Sequence, residues 1–179
     1  MQHKLVMTVI GPDRTGLVET IAGLVTEHGG NWLESRMSRL GGHFAGILRV
    51  EVPSEQEPSI VAALKKLESR GLTIVVHPDQ PKALPQNARL SVLEIVGQDR
   101  PGIVRQISHA LASFGVNVEE LHTECASAAM SGETLFKARA TLSIPESCDI
   151  AQIRQDLERI AEDLIVEISL AELPEARRS

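Results

Sequence analysis

An aspartate–arginine pair stands between glycines at two places in the sequence, in GPDRTG and, 86 positions later, in GQDRPG. The carboxylates of Asp13 and Asp99 can each face an ammonium group. Gly16 and Gly102 have no Cβ, so a small ligand can approach the backbone closely at these positions. Residues of these types at this spacing predict a binding site for a small charged molecule.

Each glycine-rich segment lies between a predicted strand and the start of a predicted helix. Several backbone N–H groups at a helix N-terminus lack partners within the helix, and the helix dipole adds partial positive charge. A carboxylate therefore docks there without the help of a catalytic group. An amino acid carries a carboxylate and an ammonium group a short distance apart, which fits this arrangement.

The same residues also have a purely structural explanation. Asp before a first helical turn is a favoured N-cap, worth about 1 kcal/mol, and Pro101 suits a first turn. Arg14 and Arg100 fit equally well as solvated surface side chains. Asn31 and Asn117 follow helix-ending glycines, where turn chemistry explains them, although their recurrence also agrees with a role in ligand binding. The residue types leave both interpretations open.

The similarity between the two segments extends beyond the loops. The framework G-x-D-R-x-G continues with Leu17-Val in the first copy and Ile103-Val in the second. Equivalent residues of the two halves are 86 positions apart at the loops and 92 positions apart at Phe44 and Phe136. The second half therefore contains six extra residues, which lie around TECASAAMSGET. Self-similarity over this length predicts two homologous halves.

Hydrophobic periodicity changes in the same order in both halves. KLVMTVI and RLSVLEIV are short, apolar and rich in β-branched residues, as expected for strands. Helical spacing follows, then two strands, a second helix and a last strand. Each half therefore predicts a ferredoxin-like β-α-β-β-α-β arrangement, an α+β fold with both helices on one face of a four-stranded antiparallel sheet.

Composition between the halves marks a domain boundary. The segment HPDQPKALPQNA contains three prolines and few apolar residues, which is typical of an interdomain connector. We predict a first domain over residues 1–78, a linker over 79–87 and a second domain over 88–173. A frayed C-terminal tail is expected over residues 174–179.

The charge distribution argues against direct binding of nucleic acid. The formal net charge is −6, and the Lys and Arg residues are scattered along the sequence. Binding of a phosphate backbone needs a concentrated positive surface. Three Phe, one Trp and no Tyr leave few aromatic rings on which bases can stack. We therefore expect no direct binding of nucleic acid.

Other types of chemistry find little support in the sequence. Cys125 and Cys148 are too few for a secreted disulfide scaffold, and no segment approaches the roughly 20 apolar residues of a membrane helix. We expect a soluble, cytoplasmic protein that does not bind a membrane.

The sequence also gives little support for a metal or catalytic site. His122 and Glu124 would share one strand face with Cys125 on the other, and no zinc-ligand spacing occurs. Without a nucleophile elbow, P-loop or dinucleotide motif, we expect no metal site, no cofactor and no catalytic residues.

The strand-loop-helix segments GPDRTGLVETIAGLVTEHGGNW and GQDRPGIVRQISHALASFGVNV resemble the opening of ACT domains, which are small-molecule regulatory modules. The tandem pair is similar to the glycine cleavage system transcriptional repressor family. This resemblance implies that domains pair side by side and bind amino acids between the first loop of one domain and its neighbour. It also implies a transcription factor as the protein partner. Carried over by motif position, the ligand contacts would be Asp13, Arg14, Gly16, Leu17, Asn31, Asp99, Arg100, Gly102, Ile103 and Asn117.

Three hypotheses for function follow from this reading. The first is a non-enzymatic regulator that binds a small amino acid, with glycine as one candidate, and controls a transcription factor by protein contact. The second is a detached regulatory subunit of an amino-acid or folate enzyme, and the third is a dimerisation scaffold without a ligand. Because a sheet with helices on one face leaves its other face and edges uncovered, we expect a homodimer in each case.

Overall fold

The computed structural model describes residues 1–80, 88–127 and 133–173. The chain divides into two compact units, Met1–Lys82 and Ala83–Ser179. Most of the predicted linker, five residues of the predicted insertion and the predicted tail lie outside the described residues. Within the described part, no helix combines the length and apolar composition that a membrane crossing requires.

The first unit is a four-stranded antiparallel sheet with two helices. Its strand order is β2-β3-β1-β4, so the first strand lies in the middle of the sheet. Short 3-10 turns precede and follow the second helix, at Ser54–Gln56 and Lys66–Arg70. The elements are β1 (Gln2–Pro12), α1 (Leu17–Glu27), β2 (Asn31–Leu40), β3 (His43–Pro53), α2 (Glu57–Lys65) and β4 (Thr73–Pro78).

The second unit repeats this order, and its sheet has the equivalent strand order β6-β7-β5-β8. Even the β-bulge recurs, between Trp32 and Glu34 in β2 and between Val118 and Glu120 in β6. The predicted β-α-β-β-α-β fold is therefore confirmed in both halves. The elements are β5 (Ala88–Gln98), α3 (Ile103–Ser113), β6 (Asn117–Ser127), β7 (Thr134–Pro145), α4 (Ile150–Leu164) and β8 (Val166–Glu172).

Each unit buries its own apolar core between the sheet and the two helices. Strand alternation sends every second side chain to the helix-covered face, and helical spacing places three apolar residues of each first helix against it. These helix residues are Leu17, Ile21 and Val25 in α1 and Ile103, Ile107 and Leu111 in α3. The core thus anchors the first turn of each helix directly behind the glycine-rich loop.

Candidate functional site

The two glycine-rich loops have the same backbone geometry. We call residues 11–16 the first loop and residues 97–102 the second loop. Gly16 (φ 87°) and Gly102 (φ 98°) are the N-cap residues of α1 and α3, and both adopt the left-handed conformation that favours glycine. The first helical hydrogen bonds run from Thr20 N–H to Gly16 O and from Gln106 N–H to Gly102 O, each 2.9 Å long. The amides that precede these donors have no acceptor within the helix.

The alternative in which Asp13 and Asp99 cap the helices is wrong. No side chain caps the N-terminus of α1 or α3. Both aspartates lie three residues before the N-cap, and their own amides donate 2.9 Å hydrogen bonds to backbone carbonyls elsewhere in their units. The N-terminus of α4 shows the contrast, because Asp149 caps it and accepts from the Ala151 amide at 2.9 Å. The carboxylates of the two loops are therefore not used for capping.

The two aspartates have different side-chain partners. Asp13 Oδ2 lies 3.2 Å from Arg39 Nε in an ion pair. Asp99 instead lies beside the Cys125 thiol, whose pKa it raises. The two partners occupy equivalent places, because Arg39 of β2 pairs with Phe44 and Cys125 of β6 pairs with Phe136. A cation in the first unit is thus replaced by a neutral group in the second.

Cys125 is an exposed thiol whose ionisation is disfavoured. Partial desolvation, the negative charge of Asp99 and the hydrogen bond to the Asp99 carboxylate together raise the pKa of the Cys125 thiol. A raised pKa keeps the thiol protonated at neutral pH, and the protonated form is a poor nucleophile. Exposure alone therefore does not make this cysteine reactive.

Removing the negative charge beside Cys125 is expected to accelerate its alkylation. In a Cys148→Ser background, Asp99→Asn should lower the pKa of Cys125, because two of the three causes of its elevation disappear. The thiolate fraction at pH 8 then rises, and the pH profile of carbamidomethylation by iodoacetamide, followed by mass spectrometry, moves to lower pH. An unchanged profile would show that Asp99 does not control this thiol.

The arginines of the two loops face solvent to different degrees. Arg14 is exposed, and Arg100 is half-buried with its Nη2 donating to Gln98 Oε1 at 3.2 Å. Neither guanidinium forms an ion pair among the described residues. Both charges are therefore available to attract an anion toward the loops.

Two of the predicted contact residues are core residues. Leu17 and Ile103 are 4% and 2% exposed, and their side chains belong to the apolar clusters of the two units. Their backbone amides nevertheless belong to the uncapped first turns of α1 and α3. Any contact that these residues make with a ligand is through the backbone.

The predicted asparagines lie at the opposite end of the sheet from the loops. Asn31 pairs with Glu51, which in turn pairs with Lys4 at the start of β1. Lys4 is seven residues from Gly11, which corresponds to about 23 Å along a strand. Asn117 occupies the same place in the second unit, where its Nδ2 donates to Glu119 Oε1 at 2.7 Å. Within one unit, a small ligand cannot contact both the loop and the asparagine.

The structure adds residues that the sequence motifs did not single out. A surface cavity of about 310 Å³ lies at the first loop, where the side chains of α1 and β3 join the loop residues. Its lining consists of Asp13, Arg14, Gly16, Leu17, Val18, Glu19 and Phe44. Glu19 and Arg39 were missed because they lie outside the repeated motif. Aligning the two halves residue by residue pairs Arg39 with Cys125, so the difference is visible in the sequence once the register is known.

Two larger concave surfaces lie in the second unit. One of about 710 Å³ is lined by α4, β8 and the end of β5, and one of about 530 Å³ lies across β5, β6 and β7. Among the described residues, no group of three or more His, Cys, Asp or Glu side chains is arranged to hold a metal ion.

Comparison with known proteins assigns the fold to a family. The family model described as the ACT domain matches residues 3–77 and residues 89–171, one match for each unit. The chain belongs to the ACT domain family. Its two ACT domains account for nearly all of the described residues, and each contains one of the glycine-rich loops.

Three relatives illustrate how this ACT protein compares with others. It is 24% identical over 165 residues to the glycine cleavage system transcriptional repressor of Escherichia coli, covering 91% of this chain and 86% of that protein. It is 31% identical over 80 residues to a UPF0237 protein of Streptococcus mutans, covering 45% of this chain and 84% of that protein. A crystal structure of an unknown protein from Galdieria sulphuraria superposes with a TM-score of 0.88 at 29% identity, covering 97% of this chain and 100% of that one.

Proposed function

We propose that this ACT protein is a non-enzymatic regulator that binds a small amino acid and controls a transcription factor by protein contact. The observation that carries the proposal is the uncapped start of each first helix. Gly16 and Gly102 take the place of a capping side chain, so the first-turn amides face outward without a side-chain acceptor. Glycine is one candidate ligand because the chain is similar to a transcriptional repressor of the glycine cleavage system.

The loop geometry complements both ends of an amino acid. The ligand carboxylate accepts hydrogen bonds from the first-turn amides, where the helix dipole favours negative charge. The ligand ammonium group faces the aspartate that precedes the N-cap by three residues. Charge-assisted hydrogen bonds of this kind are stronger than those between neutral groups, so two of them suffice to orient a small zwitterion.

Completing the site requires a second ACT domain. Asn31 and Asn117 lie about 23 Å from the loop of their own unit along the sheet, so they contribute only to a ligand bound at the loop of another ACT domain. We propose a homodimer in which the asparagine of one copy approaches a loop of the other. Ligand binding then stabilises one arrangement of the dimer over another.

Regulation by this route needs no catalytic residue. A ligand shifts the population of a partner-binding state by its difference in affinity for the two states, and about 1–3 kcal/mol is a typical coupling energy. The net charge of −6 supports a protein partner over DNA, and the similarity to a transcriptional repressor of the glycine cleavage system supports a role in transcription. The acidic surface repels a phosphate backbone.

Isothermal titration calorimetry with each of the twenty amino acids tests the ligand part of the proposal. We expect at least one small amino acid to bind with a dissociation constant of about a millimolar or lower. If none binds while circular dichroism shows a folded protein, the ligand-sensing function fails. A pull-down from the native host tests the partner, and recovery of a metabolic enzyme in place of a transcription factor would contradict the repressor assignment.

A further inference from the structure

The backbone is strained where α4 ends, and the equivalent place in the first unit is not. Ile165 follows α4 with a φ of 57°, and in the described part of the chain it is the one residue other than glycine with a positive φ. Gly71 occupies the same place in the first unit, with a φ of 81°. The two are equivalent because each stands directly before the residue that lies against the first glycine of its loop, Leu72 in one unit and Val166 in the other. A β-branched residue is strained in this conformation, so the backbone alone favours glycine at both places.

Burial does not compensate for the strain at Ile165. The residue is 62% exposed, so its side chain gains only part of the free energy of a core isoleucine. It lies on the concave surface of about 710 Å³, whose apolar part also includes Val96, Leu135 and Ala161. Strained residues cluster at sites of binding or catalysis. An exposed, strained isoleucine beside other apolar side chains therefore indicates a contact that the isolated chain does not make.

Three glutamates border the apolar part of this surface. Glu158 and Glu162 lie one turn apart on α4, Glu167 lies in β8, and all three are exposed. Within the described part of the chain, none of them forms an ion pair and no Lys or Arg lines the surface. The result is an apolar centre with an acidic rim. We call it the α4–β8 surface, formed by Val96, Leu135, Ile165, Glu158, Glu162 and Glu167.

The end of α4 is negative for a second reason. Free carbonyls and the helix dipole give a helix C-terminus partial negative charge, which basic side chains stabilise. The last turn of α4 contains no basic residue and contains Glu162 and Asp163. In the first unit, by contrast, α2 has Lys65 in its last turn and the following 3-10 turn has Arg70. The first unit therefore places its own cations at this helix end, whereas the second unit leaves the negative charge exposed.

We propose that the α4–β8 surface docks a basic amphipathic segment of a partner protein. Apolar side chains of the segment contact Ile165 and its apolar neighbours, and its Lys or Arg side chains pair with the glutamates of the rim. This inference goes beyond the proposed function, because it holds whether or not the loops bind an amino acid.

The acidic rim disfavours the other occupants of such a surface. Nucleic acid and an anionic lipid surface have charges of the same sign as the glutamates and are repelled. A two-fold contact with a second copy uses the same surface on both chains, so it brings the glutamates of the two copies together. A cationic, partly apolar segment of another protein has neither disadvantage.

Fluorescence anisotropy with a designed peptide tests the inference on the full-length protein. The probe is a fluorescein-labelled helical peptide of about 15 residues, with leucine on one face and lysine on the other. In the control peptide every lysine is replaced by glutamate. We expect saturable binding of the lysine peptide that weakens as salt is added, and no binding of the glutamate peptide. The absence of saturable binding of the lysine peptide would overturn the inference.

Ile165→Asn tests the apolar centre without weakening the fold. Asparagine tolerates the left-handed conformation better than isoleucine, so the melting temperature in differential scanning calorimetry should rise by about 4 °C. The same variant should bind the lysine peptide about tenfold more weakly, because it loses the apolar contact. A loss of binding by partial unfolding would lower the melting temperature, so the two effects together identify a direct contact.

A triple variant tests the acidic rim. We expect replacement of the three rim glutamates by glutamine to weaken the lysine peptide about tenfold. The matched control makes the same change in net charge at three exposed glutamates of the first unit and should keep the affinity of the native protein. The rim variant is Glu158→Gln, Glu162→Gln, Glu167→Gln, and the control is Glu27→Gln, Glu55→Gln, Glu68→Gln.

The remaining outcomes contradict the inference. Unchanged affinity in the folded Ile165→Asn and rim variants, or an equal loss in the control, would show that the peptide binds elsewhere or by net charge alone. Sedimentation velocity in which Ile165→Asn dissociates a dimer of the native protein would show that a second copy occupies the surface. Amino-acid binding is measured separately by calorimetry, so a failure of the proposed function is distinguishable from a failure of this inference.

Discussion

Gly46→Ala is expected to destabilise the first unit by about 3 kcal/mol. Gly46 lies in β3 between its partners Val9 of β1 and Met37 of β2. A Cβ on Gly46 would contact Met37 Cγ and lie 2.6 Å from Arg36 O and 2.8 Å from Met37 Cα. Because two of these three atoms belong to the backbone of the neighbouring strand, the overlap is relieved only by moving β2 away from β3.

The protein provides its own reporter and control for this substitution. Trp32, the single tryptophan of the sequence, is half-buried in β2 and packs against the core of the first unit, so its fluorescence follows unfolding of that unit. Gly23→Ala in α1 has no atom within 4 Å of the added Cβ and should stabilise the unit by about 0.5–1 kcal/mol. Urea denaturation that shows the same free energy of unfolding for both variants would contradict the packing argument.

Gly102→Ala is expected to weaken amino-acid binding about tenfold, beyond its effect on stability. Its φ of 98° imposes about 1–2 kcal/mol of strain on a residue with a Cβ. The added methyl group has one protein neighbour within 4 Å, Gln106 Nε2 at 3.8 Å, so it extends into the space in front of the first-turn amides. A ligand carboxylate must approach those same amides.

Gly115→Ala separates the effect of backbone strain from the effect of a methyl group that blocks the ligand. Gly115 follows the other end of α3 with a φ of 69°, and a Cβ there has no neighbour within 4 Å. This variant should lose a similar 1–2 kcal/mol of stability and keep its affinity for the amino acid. Thermal unfolding measures the stability of both variants, and titration calorimetry measures their affinity for the amino acid. Equal affinities in the two variants would show that the second loop does not contact the ligand.

Much of the fold was predictable because local sequence patterns specify it and because the same patterns occur in both halves. The type and order of elements are specified without reference to distant residues by the apolar, β-branched segments KLVMTVI and RLSVLEIV, the helical spacing after each loop and the repeated glycines. Because the halves are similar, the helices and strands assigned in one half could be checked against those assigned in the other. The helix starts were also predictable as candidate anion sites, but the sequence left open whether Asp13 and Asp99 cap them.

The side-chain partners within the site were not predictable in the same way. Asn31 stands near the first loop in sequence, after one helix, yet the pairing of β2 with β3 places it at the far end of the sheet. Arg39 is distant from Asp13 in sequence, yet the two side chains form an ion pair. Both results depend on strand register, which is set by the packing of whole faces and not by any short motif.

By itself, the sequence determined two homologous α+β units and a glycine-rich loop before the first helix of each, because periodicity and backbone conformation are properties of neighbouring residues. The tertiary structure decided how the charges around those loops are paired. It placed Arg39 against Asp13, Cys125 against Asp99, and the carboxylate of Glu19 beside the start of α1. Electrostatic pairing depends on distance in space, so the difference between the loops emerged only when the strands were assembled.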